Sequence, residues 1–544
     1  MGTTHTLRKQ VQSRHALLHR KKTLVLGVPI AALLAVALLL AMLGCGGGTA
    51  GTVNSTPPSA SAPFLSQADV KTIINAAANS ADAPSMVIAV VDRQGTVLGV
   101  YRNPGAQKTD VAEGNFGQMV NVEDLAVALA RTGAFFSNDQ APLSSRTVRF
   151  ISGIHFPPGV MDTGNAALYG IENTNRGCTL SSELQANGFL PSPPLAGGKT
   201  LGIITGKKDV LDSDPTSVNP GGVPIFENGI VVGGIGVAGA GLDPAVAEFV
   251  AFSGSSAKPF GLTLPLPAPG EVVLDGVALP FVNQTSAPAG VNPGAALGMF
   301  DFGPIDSPGP PKEGDLVGPS PSANPAPGMS GLTAAEVKQI LDNAESTANQ
   351  TRAAIRLPLG SRTRMVIAVA DLDGTILGLR RMADSTVFSI DVAATKAHNM
   401  VYFNSSARTT ADLNQLPMGT AVTNRTISFG AQPFFPPGID GSQPGPFFNL
   451  YLQDTANPCT QGFQGGPANV NKSGIVFFPG SEGLYRNGTL IGGMGVSGDG
   501  VEQDDFVTSG GAAGFEPPAN IRADQILING VRLPYLKFPR NPTQ

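Results

Sequence analysis

The stretch MVIAVVDRQGTVLG at residues 86–99 returns almost unchanged as MVIAVADLDGTILG at residues 365–378, 279 positions later (365 − 86). Each stretch is a β-branched run, an Asp-led turn that ends in glycine, and a second β-branched run, which predicts a β-hairpin. Further matches follow in the same order, namely HFPPG at 155–159 with FFPPG at 434–438, and ENGIVVGGIGVAG at 227–239 with RNGTLIGGMGVSG at 486–498. Because so long a period is not that of a solenoid, the chain is predicted to contain two large domains of one type.

The predicted domains span residues 64–303 and 332–544, called here the first and second repeat, and a Pro-rich linker at 304–331 joins them. Each repeat reads as helix, hairpin, helix, a long Gly/Pro-rich region, a second hairpin and a short acidic helix. That order predicts an antiparallel sheet with helices packed on it, the α+β class. Ser66 and Thr333 are predicted N-caps of the first helices, and residues 122–138 and 390–406 are the predicted second helices.

Paired glycines mark the second hairpin of each repeat, Gly234 and Gly236 in the first and Gly493 and Gly495 in the second. No lysine follows them and no helix start is obvious, so they do not form a phosphate loop. Glycine inside a strand indicates instead that another backbone approaches closely. Asp92 and Asp371, which lead the turns of the first hairpins, are predicted turn formers.

The composition indicates a globular protein and argues against nucleic-acid binding. Hydrophobic residues make up 42% of the 544, enough for each repeat to bury a core. The net charge is −5, and basic residues form no stripe beyond the N-terminus. Tryptophan is absent and aromatics are sparse, which argues against broad stacking surfaces for sugars or bases.

The N-terminus has the pattern of an export signal. Residues 1–22 are basic without an acid, residues 23–44 are apolar, and AMLGC ends at Cys45. The cysteine after Leu-Gly resembles the lipobox of bacterial lipoproteins, so residues 1–45 are predicted to be a signal peptide with Cys45 lipidated, followed by a flexible tether at 46–63. The protein would then be an extracytoplasmic, membrane-anchored lipoprotein of the periplasm or cell surface. The alternative is an uncleaved N-terminal transmembrane anchor, because about 20 apolar residues can span a bilayer.

Two further cysteines occupy equivalent positions, Cys178 and Cys459, each about twenty residues after its FPPG motif. In an oxidising compartment such a pair can close a disulfide, which here would join the two repeats. The alternative is a pair of buried or free thiols.

Taken together, these motifs resemble the GlcG/HbpS-like haem-binding and haem-degrading family. The resemblance is carried by MVIAVVDRQGTVLGVYR (86–102) and GGVPIFENGIVVGGIGVAG (221–239) in the first repeat, and by SIDVAATKAHNMVYF (389–403) and GTLIGGMGVSG (488–498) in the second. It implies tandem profilin-like domains, oligomerisation or another protein partner, and in some members haem binding outside the cytoplasm. The lysine of the family motif is Lys396 in the second repeat but Leu129 in the first.

The resemblance and the rarity of histidine select the candidate site residues. Haem iron takes a His, Met, Cys or Tyr ligand, so His398 and His155 are candidate metal ligands, with ordinary structural histidines as the alternative. The resemblance implies cofactor binding by Lys396 and by the pairs Arg131–Thr132 and His398–Asn399. Lys396 and Arg131 could pair with haem propionates, and the alternative for both is a solvated helix face or an oligomer contact.

Other chemistries lack their motifs. The sequence has no CxxCH, HExxH or paired CxxC, which excludes covalent c-type haem and leaves a classical zinc site unsupported. Ser497 has no visible histidine–acid partner for a serine hydrolase. The sequence therefore predicts an exported, lipid-anchored protein that binds haem or a related small ligand, a binding protein rather than an enzyme, although the resemblance also implies haem degradation. The alternative is a structural or sensory interaction module without a cofactor.

Overall fold

A computed structural model describes residues 63–176, 201–262, 270–302, 306–307, 309–456 and 469–543. The described part of the first repeat contains helices α1 (Gln67–Ser80), α2 (Val122–Phe136), α3 (Ser145–Phe150) and α4 (Pro244–Ser255). Its strands are β1 (Met86–Asp92), β2 (Val97–Arg102), β3 (Val111–Glu113), β4 (Met119–Asn121), β5 (Gly222–Glu227), β6 (Ile230–Gly239), β7 (Val273–Leu274), β8 (Val277–Ala278) and β9 (Met299–Phe302).

The described part of the second repeat follows the same helix, hairpin, helix order but has no counterpart of β3 and β4. Strand β10 (Gly314–Val317) comes first, followed by helices α5 (Ala334–Gln350), α6 (Phe388–Asn404), α7 (Asn424–Gly430), α8 (Phe448–Ala456) and α9 (Val501–Gly511). The strands among and after these helices are β11 (Val366–Ala370), β12 (Ile376–Arg381), β13 (Ser481–Arg486), β14 (Thr489–Ser497), β15 (Leu527–Ile528) and β16 (Val531–Arg532). Helices α3, α7 and α8 lie in the Gly/Pro-rich regions, where the sequence predicted none.

The helix starts follow from local capping. Ser66 accepts a hydrogen bond from the Asp69 backbone and its own backbone N–H is bonded by the Asp69 carboxylate, and Thr333 and Glu336 make the same reciprocal pair. Two orphan amides of each first turn are satisfied in this way. Both predicted N-caps are confirmed.

Each repeat contributes one five-stranded sheet, and every pairing within it is antiparallel. The strand orders are β5-β6-β1-β2-β9 and β10-β12-β11-β14-β13. The predicted α+β class, with helices packed on antiparallel sheets, is confirmed. The segment predicted as a linker contributes β10, whose Asp315 lies opposite Arg380 of β12.

The first-hairpin aspartates form turns and also hold parts of the linker. Asp92 accepts hydrogen bonds from the backbone of Gln94 and Thr96 at 2.9 and 2.8 Å, and its other oxygen is 3.1 Å from the Ser307 hydroxyl. Asp371 accepts from the hydroxyl of Ser322 at 2.7 Å and from the backbone N–H groups of residues 323 and 324. Their predicted role as turn formers is confirmed, and the linker is fastened to both hairpins.

The hairpin glycines let the second helix of each repeat lie directly on its sheet. A Cβ on Gly236 would overlap the carbonyl oxygen of Ala126 in α2, and a Cβ on Gly495 would overlap that of Ala393 in α6. The interpretation of these glycines as close-packing positions is confirmed. Because Ala126 and Ala393 contact equivalent glycines, these contacts also align α2 with α6 residue by residue.

The two repeats share one hydrophobic core and belong to one compact unit. The rings of Phe136 at the end of α2 and Phe388 at the start of α6 stack with centroids 4.1 Å apart. Beside them, the Val387 amide donates to the Phe135 carbonyl at 3.1 Å. Burial of these side chains between the repeats makes each one part of the other's core.

Candidate ligand-binding site between the repeats

A cavity of about 890 Å³ lies where the repeats meet, within the size range of small-molecule sites. The first repeat lines it with Phe136, Asn138, Leu143, Ile151, Ala167, Leu168, Val273, Leu274, Asp275 and Gly276. The second repeat lines it with Arg352, Ala353, Ala354, Ile355, Leu359, Thr386, Phe388, Phe478, Ser497, Gly498, Asp499, Gly500, Val501, Glu502, Gln503, Asp504, Lys537, Phe538, Pro539 and Arg540.

The two repeats contribute different chemistry to this cavity. The first repeat supplies mostly apolar side chains, among them Leu143, Ile151 and Phe136, whose stacked partner Phe388 also lines it. The second repeat supplies most of the charged groups. One side of the cavity is therefore suited to an apolar body and the other to polar recognition.

A buried ion pair stands in the second repeat's wall. Lys396 of α6 is fully buried, and its Nζ lies 3.1 Å from Oδ2 of Asp504 and 2.7 Å from the Val496 carbonyl oxygen. Burial raises the pKa of Asp504 to about 7, although Lys396 lowers it, and burial lowers the pKa of Lys396. Oδ1 of Asp504 has no hydrogen-bond partner among the described residues.

A second buried pair fastens the wall to the first repeat. The guanidinium of Arg356 bonds the carboxylate of Asp499 and lies 2.6 Å from Asp384, and the side-chain carbonyl of Gln140 accepts from it at 3.1 Å. Burial raises the pKa of Asp499, and Arg356 opposes that shift. Because Gln140 belongs to the first repeat, Arg356 couples the polar wall to the contact between the repeats.

The exposed lining residues at the mouth of the cavity are mainly basic and apolar, with one acid, Asp275, among them. Arg352, Lys537 and Arg540 are exposed there, and Lys537 also pairs with Glu502. Leu359 is 80% exposed and Phe538 is 47% exposed. Such a rim suits a ligand with an apolar body and an anionic end.

Neither predicted histidine borders this cavity. His398 is buried on α6, with Nε2 2.6 Å from the Gly374 carbonyl oxygen and Nδ1 3.2 Å from the Ser473 hydroxyl. Its equivalent in α2 is Arg131, whose Nε donates to the carbonyl of Gly95 at 2.9 Å. Both residues thus fasten the first-hairpin turn of their repeat to its second helix. To bind iron, His398 would have to give up one of these hydrogen bonds.

Burial makes His398 a pH-sensitive element of stability. It lowers the pKa of His398 to about 4, against 6.5 in the unfolded chain. Because the unfolded state binds the proton first, stability is lost as pH falls below 6.5. Between pH 7.5 and 5 this group alone accounts for about 2 kcal/mol. We expect His398→Gln to show that much less loss in urea unfolding at the two pH values. Arg131→Gln removes the equivalent contact but no group that titrates between pH 5 and 7.5, so its stability should change with pH as in the wild type. A wild-type pH dependence in His398→Gln would contradict this assignment.

The remaining predicted cofactor-binding residues make protein contacts. Arg131 borders a void of about 10 Å³, roughly one water, and burial lowers its pKa to about 10. Thr132 accepts from the Ile204 amide at 3.1 Å, and Asn399 donates to the Gly474 carbonyl at 2.8 Å. Lys396 is turned to Asp504. The structure does not bring these residues together around one opening.

His155 lies at a different contact between the repeats. Its Nε2 is 2.8 Å from Asp440 of the second repeat, and its Nδ1 is 2.8 Å from Ser213 of the first. Asp440 and Asp162 in turn accept hydrogen bonds from each other's backbone N–H groups at 2.9 and 3.0 Å. This arrangement joins the two FPPG loops and leaves both ring nitrogens of His155 engaged.

Comparison with known proteins gives a family match for part of the chain. Residues 332–513 match the family described as "Haem degrading protein HbpS-like". The matched segment includes Lys396, His398 and Asp504, whereas the first repeat lies outside it. A comparison with curated proteins finds no match.

Two solved structures resemble the chain over about a third of its length. The crystal structure of a PduOC–heme complex is 24% identical and covers 34% of this chain and 94% of that one, with a TM-score of 0.22. The Klebsiella pneumoniae protein ORFY, described under DUF336, is 21% identical and covers 35% and 95%, with a TM-score of 0.23. Similarity at these TM-scores does not bear on function.

Several predictions concern residues outside the described ranges. Cys45, Cys178 and Cys459 all lie there, so lipidation and the disulfide stay predictions. Within the described ranges, no group of three or more His, Cys, Asp or Glu side chains is placed to hold a metal ion. Of the helices that the structure describes, none is both long and apolar enough to cross a bilayer.

Sequence reasoning missed the residues that give the HbpS-like segment its polar wall. Asp499 and Asp504 fall in a short acidic segment, and acidic residues in the first turn are ordinary at a helix start. Arg356 lies in a loop without a motif. One signal was present, because Lys396 stands where the first repeat has Leu129, and a buried lysine needs an acidic partner.

Proposed function

We propose that the protein binds haem, or a related flat apolar ligand with carboxylates, in the cavity between the repeats. The observation that carries this proposal is the cavity itself, with its apolar first-repeat side and the basic residues Arg352, Lys537 and Arg540 at its mouth. A macrocycle would lie against Phe136 and Phe388, and its carboxylates would face the guanidinium and ammonium groups. The match to the HbpS-like family supports a haem-related ligand.

The cavity suits the body and charges of haem better than its iron. None of the described lining residues is a His, Cys, Met or Tyr, the side chains that ligate haem iron. Bound haem would supply the redox chemistry, whereas the described residues supply binding, orientation and exclusion of water. The proposal is therefore for a binding protein. Iron ligation by His398 or His155, and with it haem degradation, stays a prediction from the resemblance.

The ligand is tested by titrating the purified full chain with haemin and with metal-free protoporphyrin IX. We expect saturable binding of both, with haemin bound no more tightly than protoporphyrin, because no described lining residue favours the iron. Arg352→Gln with Arg540→Gln should weaken both by about 3- to 10-fold, since an exposed ion pair contributes about 0.2–1 kcal/mol. The matched control is Lys71→Gln with Lys338→Gln, which removes the same charge from exposed helix positions.

Each other outcome of this titration has a definite meaning. Haemin binding 100-fold tighter than protoporphyrin would assign an iron ligand, and His398→Ala and His155→Ala would then locate it. Absence of saturable binding to either compound would overturn the proposal in favour of the interaction module. If the control variant weakens porphyrin binding equally, Arg352 and Arg540 do not bind the carboxylates of the ligand.

We also propose, on the sequence of residues 1–63, that the chain is exported and anchored through lipid on Cys45. We further propose that the first repeat, whose motifs return in the matched segment, is a second HbpS-like domain. The basic start, the apolar run and the position of Cys45 support the anchor. Detergent-extracted protein should carry the mass of a diacylglyceryl group, and Cys45→Ser should lack it. An unmodified Cys45 in membrane-bound protein would favour the transmembrane alternative.

A further inference from the structure

We propose that Asp504 determines ligand specificity by accepting a hydrogen bond from the ligand's donor group, and that the chain holds one such site, in the second repeat. The inference rests on the proposed function and adds to it the chemistry of the ligand's polar group and the number of ligands per chain. It starts from a carboxylate that is 2% exposed, lines the cavity, and leaves Oδ1 without a partner among the described residues. A buried polar atom of this kind is costly unless something bonds it.

Lys396 positions this carboxylate. Its ammonium holds Oδ2 at 3.1 Å and is itself fixed by the Val496 carbonyl oxygen, 2.7 Å away. It also lies 5.0 Å from the ring centroid of Phe478, another lining residue. Lys396 therefore occupies one carboxylate oxygen, and Oδ1 is the acceptor that stays without a partner among the described residues.

The first repeat lacks this device. In the second repeat Arg425 pairs with Asp505, and in the first repeat Arg146 pairs with Glu248. These equivalent ion pairs align α9 with α4 so that Asp505 corresponds to Glu248. Gly511 and Gly254 agree with that register, since each packs against an alanine of its repeat's first helix. The residues equivalent to Asp504 and Lys396 are then Ala247 and Leu129.

Another polar group of the wall is absent from the first repeat as well. Ser497 lies opposite Val366 in the sheet, and Ala238 lies opposite the equivalent Val87. The hydroxyl of Ser497 donates to Ser389 at 3.0 Å, a contact that alanine cannot make. The second repeat therefore has polar groups at positions where the first repeat is apolar. The chain accordingly holds one site that can accept a hydrogen bond from a ligand.

The arrangement defines a class of ligand. Its anionic end meets the mouth at Arg352 and Arg540, its apolar body lies in the middle, and an N–H or O–H group meets Asp504. Metal-free protoporphyrin carries pyrrole N–H groups, whereas iron replaces those protons in haem. The contribution of Asp504 should therefore be larger for the metal-free compound.

The pH profile separates a ligand contact from a purely structural role. Asp504 faces the ammonium of Lys396 and the neighbouring carboxylates Asp499 and Asp505, and burial raises its pKa to about 7. Only the ionised carboxylate is free to accept without donating. The affinity for protoporphyrin should rise about 9-fold between pH 6 and 8, as the ionised fraction grows from about one tenth to nine tenths.

The experiment titrates the full chain with metal-free protoporphyrin IX, beside Lys396→Leu/Asp504→Ala, which installs the pair found in the first repeat. That double variant leaves no unpaired charge at these positions, and its thermal melt checks that it is folded. We expect one equivalent bound by the wild type, about 10-fold weaker binding by the double variant at pH 8, and a smaller loss for haemin. Asp504→Asn has a single acceptor oxygen, which the Lys396 ammonium takes, so that its NH2 group meets the ligand's donor; it should bind about 10-fold more weakly than the wild type at pH 8 and without the pH profile.

The outcomes distinguish this inference from the proposed function. If the wild type binds neither porphyrin, the proposed function fails. If it binds and the folded double variant binds equally well, Asp504 is not a specificity residue, although the cavity stands. Two equivalents per chain would overturn the single site, and an affinity that is flat or falls from pH 6 to 8 would overturn the hydrogen-bond-donor chemistry.

Discussion

Gly495→Ala is expected to destabilise the protein by about 3–4 kcal/mol, near or beyond the upper end for overpacking a core. The new methyl group would fall on the Ala393 carbonyl oxygen and close to the Ala397 amide, both part of the α6 backbone. These atoms cannot move apart without lengthening hydrogen bonds inside the helix or lifting the helix off the sheet. Urea unfolding followed by circular dichroism measures the loss directly.

The control is Gly164→Ala, where a Cβ meets nothing within 4 Å, so the change should stay within about 0.5 kcal/mol. Gly236→Ala makes the same test in the first repeat, against Ala126 of α2. A loss below 1 kcal/mol in Gly495→Ala would mean that α6 does not lie directly on β14.

Arg356→Ala is expected to cost about 3–5 kcal/mol, the range for removing one partner of a buried ion pair. The guanidinium is 1% exposed, and its loss leaves the buried carboxylate of Asp499 without its cation. Asp384 and Gln140 lose a partner in the same step. The exposed Arg362, whose guanidinium donates to the Gln350 carbonyl, gives the matched control Arg362→Ala, with a change of about 0.5 kcal/mol or less.

The effect of Arg356→Ala should also depend on pH in a defined direction. Burial already raises the pKa of Asp499 above its unfolded value, and removing the arginine raises it further. The cost of the bare carboxylate grows as pH rises through this range and shrinks where the group is protonated. We expect a larger loss at pH 8 than at pH 5, and Arg356→Ala/Asp499→Ala should recover part of it at pH 8. An equal loss at both pH values would assign the effect to lost packing.

The sequence predicted the features that depend on neighbours along the chain. The hairpin turns at Asp92 and Asp371 and the caps at Ser66 and Thr333 follow from local chemistry, and the structure has them where expected. The glycines of the second hairpins were also interpreted correctly, because a glycine-rich strand leaves few explanations other than close packing.

The candidate site could not be predicted in the same way. His398 was selected for its rarity, but its role depends on the Gly374 carbonyl, which lies beside α6 only in the folded chain. The cavity joins Leu143 and Ile151 with Asp499 and Asp504, more than 300 positions apart, and its formation depends on how the repeats pack. Periodicity and spacing carry no information about that packing.

Because the two repeats are parts of one chain, their buried residues can differ at equivalent positions. In a homodimer every substitution occurs twice, so a buried ion pair that is unfavourable before a ligand arrives would burden both halves. Here Lys396 and Asp504 occur once, while the equivalent positions of the first repeat hold the buried apolar residues Leu129 and Ala247. Fusion thus permits the two halves to differ, so that a destabilising but chemically selective ion pair need be carried by one half alone.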